Sequence, residues 1–311
     1  MMQATIGVDI SKESLEAHRM DDGASRRFAN DKAGHAALIA WIGGDGARVV
    51  FEPTGPYHRA FERALAKAGL PLVKVNPRQA RRFAEATGKL AKTDRLDAAL
   101  LARMGALLGL EARPVRGDIL AGLKELHIAR EALVKDRTAA KNRAKALTLA
   151  LLKRQNAERL KQIERQIAAI EADIMACLDA DPDLVRRFTI LTSIPGVARL
   201  TAFALLIEMP ELGTLEAGQA ASLAGLAPVA RQSGRWNGHA RIRGGRASLR
   251  HALYMPALVA TRFNPDMATK YAHLIGAGKP AKVALTAIMR KLIVLANALL
   301  KAKRQWTPKL A

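Results

Sequence analysis

The stretch AKTDRLDAAL, residues 91–100, sets two aspartates, Asp94 and Asp97, three positions apart, with Lys92 and Arg95 beside them. The alanine- and leucine-rich sequel predicts a helix starting here, and residues three apart share one helix face. Two readings fit. In the first, Asp94 caps the helix and Asp97 lies over its free amides, which suits the positive end of the helix dipole. In the second, the pair is half of a metal site. The second needs further acids, delivered by other elements.

Two such acids exist. Asp9 closes the apolar, β-branched run ATIGVDI (residues 4–10), and Glu52 closes ARVVFEP (residues 47–53). A carboxylate at the end of an apolar strand is costly if buried and unpaired, and tolerable beside a cation. In α/β sheets, ligands bind at the carboxyl ends of the strands. Two strand-end acids and a helix-borne pair could converge on one or two Mg²⁺ ions. That ion takes oxygen ligands and would leave positions open for phosphate oxygens.

The surrounding sequence supplies the frame. A second strand is predicted at SLEAHRM (14–20) and a helix at AGHAALIAWIGG (33–44). The helix PYHRAFERALAKAG (56–69), the strand LPLVKVNP (70–77) and more helix follow. Strands alternating with helices indicate an α/β layer with some parallel pairing. From Leu123 to Asp181 there is no Gly or Pro, and apolar residues recur at helical spacing with charges between them. This predicts one very long helix, or an antiparallel pair turning near Gln155–Asn156, forming a solvated coiled-coil arm. A dimerising role and a basic stripe facing nucleic acid are the alternative for it. DPD at 181–183 marks a break. The expected organisation is therefore an α/β domain over 1–112, a helical arm over 113–182 and a mostly helical last domain over 183–311.

Charge narrows the function. The chain of 311 residues carries a net charge of +22, and only 4% of it is aromatic. Between positions 217 and 311 stand 16 lysines and arginines against one acid, Asp266. So basic a protein calls for a polyanionic partner, nucleic acid first and an anionic membrane surface second. The single cysteine, Cys177, excludes an internal disulfide and speaks against a cysteine-based zinc site. The apolar run VALTAIMRKLIVLANALL (283–300) is broken by Arg290 and Lys291, so a bilayer span is not expected. There is no secretory pattern at the N-terminus, and the protein reads as cytoplasmic.

In the last domain, LTSIPGVARLTAFALLIEM (191–209) has a Pro-Gly turn leading into a helix. It resembles a helix-hairpin-helix turn, whose backbone amides can hold a phosphate, although Pro-Gly turns between helices are common. ARQSGRWNGHARIRGGRASLRHAL (230–253) follows, rich in Gly and Arg with few apolar anchors.

Taken together, GVDISK, FEPTG and KTDRLDA resemble the DEDD signature of the IS one-ten family of insertion-sequence transposases, on a RuvC-like branch of the ribonuclease H fold. The resemblance places an acidic tetrad on Asp9, Glu52, Asp94 and Asp97. It extends to the last domain, where the family's reactive serine falls on Ser233. The sequence GGR at 244–246 departs from the family's pattern of Gly followed by a small polar residue.

This resemblance implies a bacterial, nucleoid-associated enzyme that cuts and rejoins donor and target DNA. It implies a Mg²⁺-binding tetrad, a phosphoserine intermediate on Ser233 and guidance by a non-coding bridge RNA. It also implies a homo-oligomer, dimer or dimer of dimers, in which the tetrad of one protomer faces the serine of another. A phosphoserine link conserves the energy of the broken phosphodiester, so rejoining needs no ATP. No histidine–acid pair announces itself as the base: His239 and His251 are near Ser233 in sequence only. Arg231, Arg235, Arg241, Arg243, Arg246 and Arg250, with Lys92 and Arg95, are the expected phosphate contacts. Trp236 reads equally as a base-stacking or a core residue. Two rivals stand: a metal-only nuclease of the Holliday-junction resolvase type, and a non-catalytic nucleic-acid-binding protein.

Overall fold

The computed structural model describes residues 4–43, 46–88, 93–112 and 117–308. The chain divides into two compact units, residues 1–117 and 118–311.

The first unit is built on a five-stranded sheet. Its strands are β1 (Thr5–Ile10), β2 (Ser14–Arg19), β3 (Ser25–Ala29), β4 (Arg48–Phe51) and β5 (Leu72–Lys74). The order is β3-β2-β1-β4-β5. β1 pairs antiparallel with β2, and β2 with β3, whereas β1–β4 and β4–β5 are parallel. The four helices are α1 (Lys32–Ile42), α2 (His58–Lys67), α3 (Pro77–Ala86) and α4 (Asp94–Leu107). β3 escapes a reading by pattern, because it is an edge strand with only Phe28 buried. This mixed α/β arrangement is consistent with a ribonuclease H-like domain.

Period-two alternation splits the sheet into two faces. Ile6, Val8 and Ile10 of β1 and Val49 and Phe51 of β4 form one core with Leu38 of α1 and Phe61 and Leu65 of α2. Phe51 and Phe61 meet edge to face, 5.3 Å between centroids, a geometry that adds about 1 kcal/mol to simple burial. Val50 faces the other way, into a smaller core with Leu101 and Met104 of α4. Thr5, Gly7 and Asp9 alternate with the first core, so their side of β1 is the one that α4 covers.

The second unit begins with α5 (Asp118–Ala144) and α6 (Ala150–Asp179), which lie antiparallel. Arg130 Nε bonds Glu171 Oε1 across the pair at 2.7 Å. The turn spans 145–149 and not Gln155–Asn156 as the sequence suggested. Asn156 is buried inside α6, and its Nδ2 donates to the Ala140 carbonyl at 3.1 Å. A polar residue that looked like a turn is therefore a buried tie between two helices.

Then come α7 (Pro182–Thr192), α8 (Arg199–Glu208), α9 (Ala217–Leu223), β6 (Pro228–Ser233), β7 (Trp236–Ile242), α10 (Ala247–Phe263), α11 (Pro265–Gly276) and α12 (Ala281–Lys301). Leu123 of α5 and Ile174 and Leu178 of α6 are buried in one core with α7, α8, α10 and α12. The base of the helical arm is thus packed into the last domain. Among the described residues, α12 is the one helix long and apolar enough to cross a membrane, and here Ile288, Leu292, Ile293 and Leu299 bury it in that core.

Candidate active site

The acids of the first unit are brought together by two close approaches. A Cβ on Gly7 would lie 2.0 Å from the Ala98 carbonyl oxygen and 2.4 Å from the Ala102 nitrogen. One turn further along α4, a Cβ on Gly105 would lie 2.5 Å from Val50 Cγ2. With a bare backbone at both places, α4 lies directly on β1 and β4, Gly105 over Thr5 and Ala98–Ala102 over Gly7. α4 therefore runs antiparallel to β1, and its N-terminal turn with Asp94 and Asp97 comes to the end of β1 that carries Asp9. Glu52 is the residue just past β4, one beyond the register pair Val8–Phe51, as Asp9 is one beyond Val8 on the parallel neighbour β1. A glycine inside an apolar strand is the sequence signal for such an approach.

Electrostatics reports the convergence. The Asp9 carboxyl is pushed up from 3.8 to about 6, first by burial, then by the charges of Asp97 and Asp94, and lastly by Glu52, against a lowering hydrogen bond from the Ile10 backbone. All four acids thus share one field. The cap reading of Asp94 is corrected. The N-cap of α4 is Thr93, whose hydroxyl accepts the Leu96 amide at 3.3 Å. Asp94 is the first helical residue and is exposed, and Asp97 is half-buried. Neither carboxylate caps the helix. Arg95 is exposed on the same turn, and Lys92 lies outside the described residues.

The donor type suits a divalent cation, since carboxylate oxygens are what such an ion takes, and the charges of Asp97, Asp94 and Glu52 all act on Asp9. Among the described residues, no group of three or more acids, histidines or cysteines is arranged to hold a metal ion.

A valine at position 7 would have to displace the α4 backbone. Gly7→Val is expected to cost about 3 kcal/mol, at the upper end of overpacking changes, and to abolish any cation-induced rise in melting temperature. Unchanged cation binding in a folded variant would show that the α4 approach does not assemble the site.

In the second unit, Ser233 stands at the tip of a β-hairpin that the sequence did not reveal. β6 and β7 pair antiparallel, with Ser233 opposite Trp236 and a two-residue turn, Gly234–Arg235, between them. Gly234 has φ +55, as a tight hairpin turn with glycine first requires. Both strands are exposed along almost their whole length, and this lack of apolar alternation hid them. Among the described residues, the Ser233 hydroxyl has no hydrogen-bond partner, and His239 and His251 are exposed without forming a triad with it.

The arginines divide. Arg231, Arg235, Arg241 and Arg243 are exposed, with no ion pair among the described residues. Arg250 donates to the Gly244 carbonyl at 2.6 Å. Arg246 is committed elsewhere: it forks onto Glu211 at 2.6 and 2.8 Å and donates to the Glu208 carbonyl at 2.6 Å. The GGR departure therefore supplies a clasp between the start of α10 and the loop after α8. Arg246→Met should destabilise the protein by about 2 kcal/mol, below the range for a fully buried pair because the clasp is partly exposed. Its DNA affinity should keep the parent salt slope. Arg235→Ala, Arg241→Ala or Arg243→Ala should each flatten that slope by about one, with melting temperature unmoved. The reverse pattern would exchange the two assignments.

The helix-hairpin-helix resemblance falls on the 193–198 turn before α8. That helix begins without a side-chain cap, and Arg199 is exposed at its start.

Two family profiles match the chain. Residues 6–171 match a family profile described as a transposase, of the DEDD IS110 type. Residues 188–272 match one described as the transposase IS116/IS110/IS902 family. The chain is 28% identical to the pilin gene-inverting proteins of Moraxella bovis and of Moraxella lacunata, over 98% of each chain. It is 34% identical over 148 residues to the insertion element IS110 43.6 kDa protein of Streptomyces coelicolor, covering 47% of this chain and 35% of that one.

Proposed function

Because the chain belongs to the IS110 family of transposases and is a DNA transposase or recombinase, we propose that it cuts and rejoins DNA with two sets of residues, the acids Asp9, Glu52, Asp94 and Asp97 and the nucleophile Ser233. The observation that carries the reading is the close approach at Gly7, which brings the first turn of α4 to the Asp9 end of β1, where burial and then the charges of Asp97, Asp94 and Glu52 raise the Asp9 carboxyl. Four such carboxylates would hold Mg²⁺, which supplies Lewis acidity toward phosphate oxygens.

Ser233 contributes the bond chemistry. Its Oγ attacks phosphorus, the Oγ–P ester forms, the P–O bond to the neighbouring sugar breaks, and that sugar oxygen leaves as a hydroxyl. A hydroxyl from another strand then attacks the ester and releases the serine. The position of Ser233 at an exposed tip leaves its hydroxyl open to a phosphodiester of a large nucleic acid. The full-length relatives named for gene inversion support the same chemistry. Inverting a segment requires every cut end to be rejoined, and a covalent protein link conserves the bond energy for that.

The exposed arginines of the hairpin bind the DNA backbone, an interaction that is salt-sensitive and largely blind to sequence. Site choice then falls to a bridge RNA, and the antiparallel arm serves as a coiled-coil contact in a dimer or dimer of dimers.

The test is an adduct assay. Protein, Mg²⁺, RNA transcribed from DNA flanking the gene and labelled donor and target duplexes are mixed, denatured and resolved on a gel. A labelled protein–DNA band that requires both RNA and Mg²⁺ is expected. Cut DNA without any such band would remove the serine step. A band indifferent to RNA would remove the guide.

A further inference from the structure

Beyond the nucleophile, the hairpin carries a residue that no phosphate chemistry requires. Opposed residues of an antiparallel pair point to the same face, and alternate residues along each strand do too. The pairs Ser233–Trp236 and Arg231–Gly238 therefore put Arg231, Ser233, Trp236 and Gly238 on one face. On that face the indole of Trp236 folds back along β7. A Cβ on Gly238 would lie 2.3 Å from Trp236 Cη2 and 2.7 Å from Cζ3. The Arg231 guanidinium lies 5.7 Å from the ring centroid.

Two positions are thus given over to seating one ring, and the ring is not in a core. Trp236 remains 54% exposed, while the other two tryptophans, Trp41 and Trp306, are partly buried against core residues. An isolated two-stranded hairpin is marginal in water, so leaving its one aromatic residue outside any core forfeits stabilisation. A seated, solvent-facing indole beside a cation is what single-stranded nucleic-acid sites use to stack bases.

We infer that Trp236, seated over Gly238 and flanked by Arg231, is a stacking platform for an unpaired base next to the phosphodiester that Ser233 attacks. The inference rests on the proposed role of Ser233. Trp236 is a positioning residue here: it fixes the nucleotide, and with it the phosphorus, against the Ser233 hydroxyl on the same face. Because every base has a π face, the platform selects for an unpaired nucleotide and not for a sequence.

The test uses the full chain with Trp41→Phe and Trp306→Phe, which leaves Trp236 as its sole tryptophan. Its emission is followed while a single-stranded oligonucleotide, or the matching duplex, is added. Anisotropy of a dye on the DNA reports binding independently. Strong quenching by the single strand and little by the duplex is expected. If that double variant does not fold, the difference in emission between parent and Trp236→Phe gives the same signal.

In the parent background, Trp236→Ala should reduce single-strand binding and adduct formation by about ten- to one-hundred-fold. Trp236→Phe should stay within about threefold of the parent. Gly238→Val, which unseats the ring, should behave like the alanine variant. An unquenched indole on a bound oligonucleotide, or an alanine variant that forms adduct as fast as the parent, overturns the inference. Quenching in a parent that never forms a serine adduct would remove the reading of Ser233 and leave the stacking platform in place.

Discussion

Ser233→Ala is expected to eliminate the covalent DNA–protein adduct and strand joining, a loss of about 10⁴-fold or more, as for removal of other enzymic nucleophiles. Binding of duplex and single strand should stay within about twofold, because the basic residues around the tip carry the electrostatic term. The structure makes this substitution unusually clean. Ser233 is exposed, and among the described residues its hydroxyl has no hydrogen-bond partner, so alanine leaves no buried group unsatisfied. Melting temperature should therefore not move. An adduct that survives in the alanine variant would place the nucleophile elsewhere. DNA cutting that continues unchanged and without any adduct would mean that water attacks the phosphodiester at the acidic site alone, the chemistry of a Holliday-junction resolvase.

The acidic half of the layout was legible because chain order and pattern period carry it. Asp9 and Glu52 each end an apolar run, period two fixes the face of the sheet on which they stand, and the Asp94–Asp97 spacing fixes their side of α4. What patterns did not convey was how closely α4 lies on β1, which depends on the missing Cβ atoms of Gly7 and Gly105 in three dimensions. The cap reading of Asp94, one of the two that the sequence left open, fails for a related reason: Thr93 and Asp94 are both good cap residues, and only the backbone decides between them. The hairpin was invisible for the opposite reason. Its strands are exposed along almost their whole length, so no alternation marks them, and the Arg-rich segment reads as loop. Arg246 stood among the expected phosphate contacts because composition cannot show which arginine has an acid waiting for it, and Glu211 is 35 positions upstream.

Asp9→Asn is the second decisive substitution, and it should move activity and stability in opposite directions. Activity should fall by at least about 10³-fold, since one ligand and one charge leave the cation site. Stability of the metal-free protein should rise at neutral pH. The Asp9 carboxyl is pushed up from 3.8 to about 6 by burial and by Asp97, Asp94 and Glu52. A folded-state value above the unfolded one means that the native state holds the proton more tightly. Stability of the metal-free parent therefore declines as pH rises from about 4 to about 6 and stays lower above that window. Asparagine removes this contribution. Its melting temperature should exceed that of the parent at pH 8 without divalent ions and match it more nearly at pH 4. Adding Mg²⁺ reverses the order, because the cation binds the folded parent and stabilises it by mass action. That rise should be larger at pH 8 than at pH 5, where a proton competes for the carboxylate, and nearly absent in the asparagine variant. Thermal melts at two pH values, with and without Mg²⁺, read all of this without any DNA present. A variant that is less stable than the parent in metal-free buffer, and that still gains the full Mg²⁺ increment, would show that Asp9 supports the fold and that the cation is held by other groups.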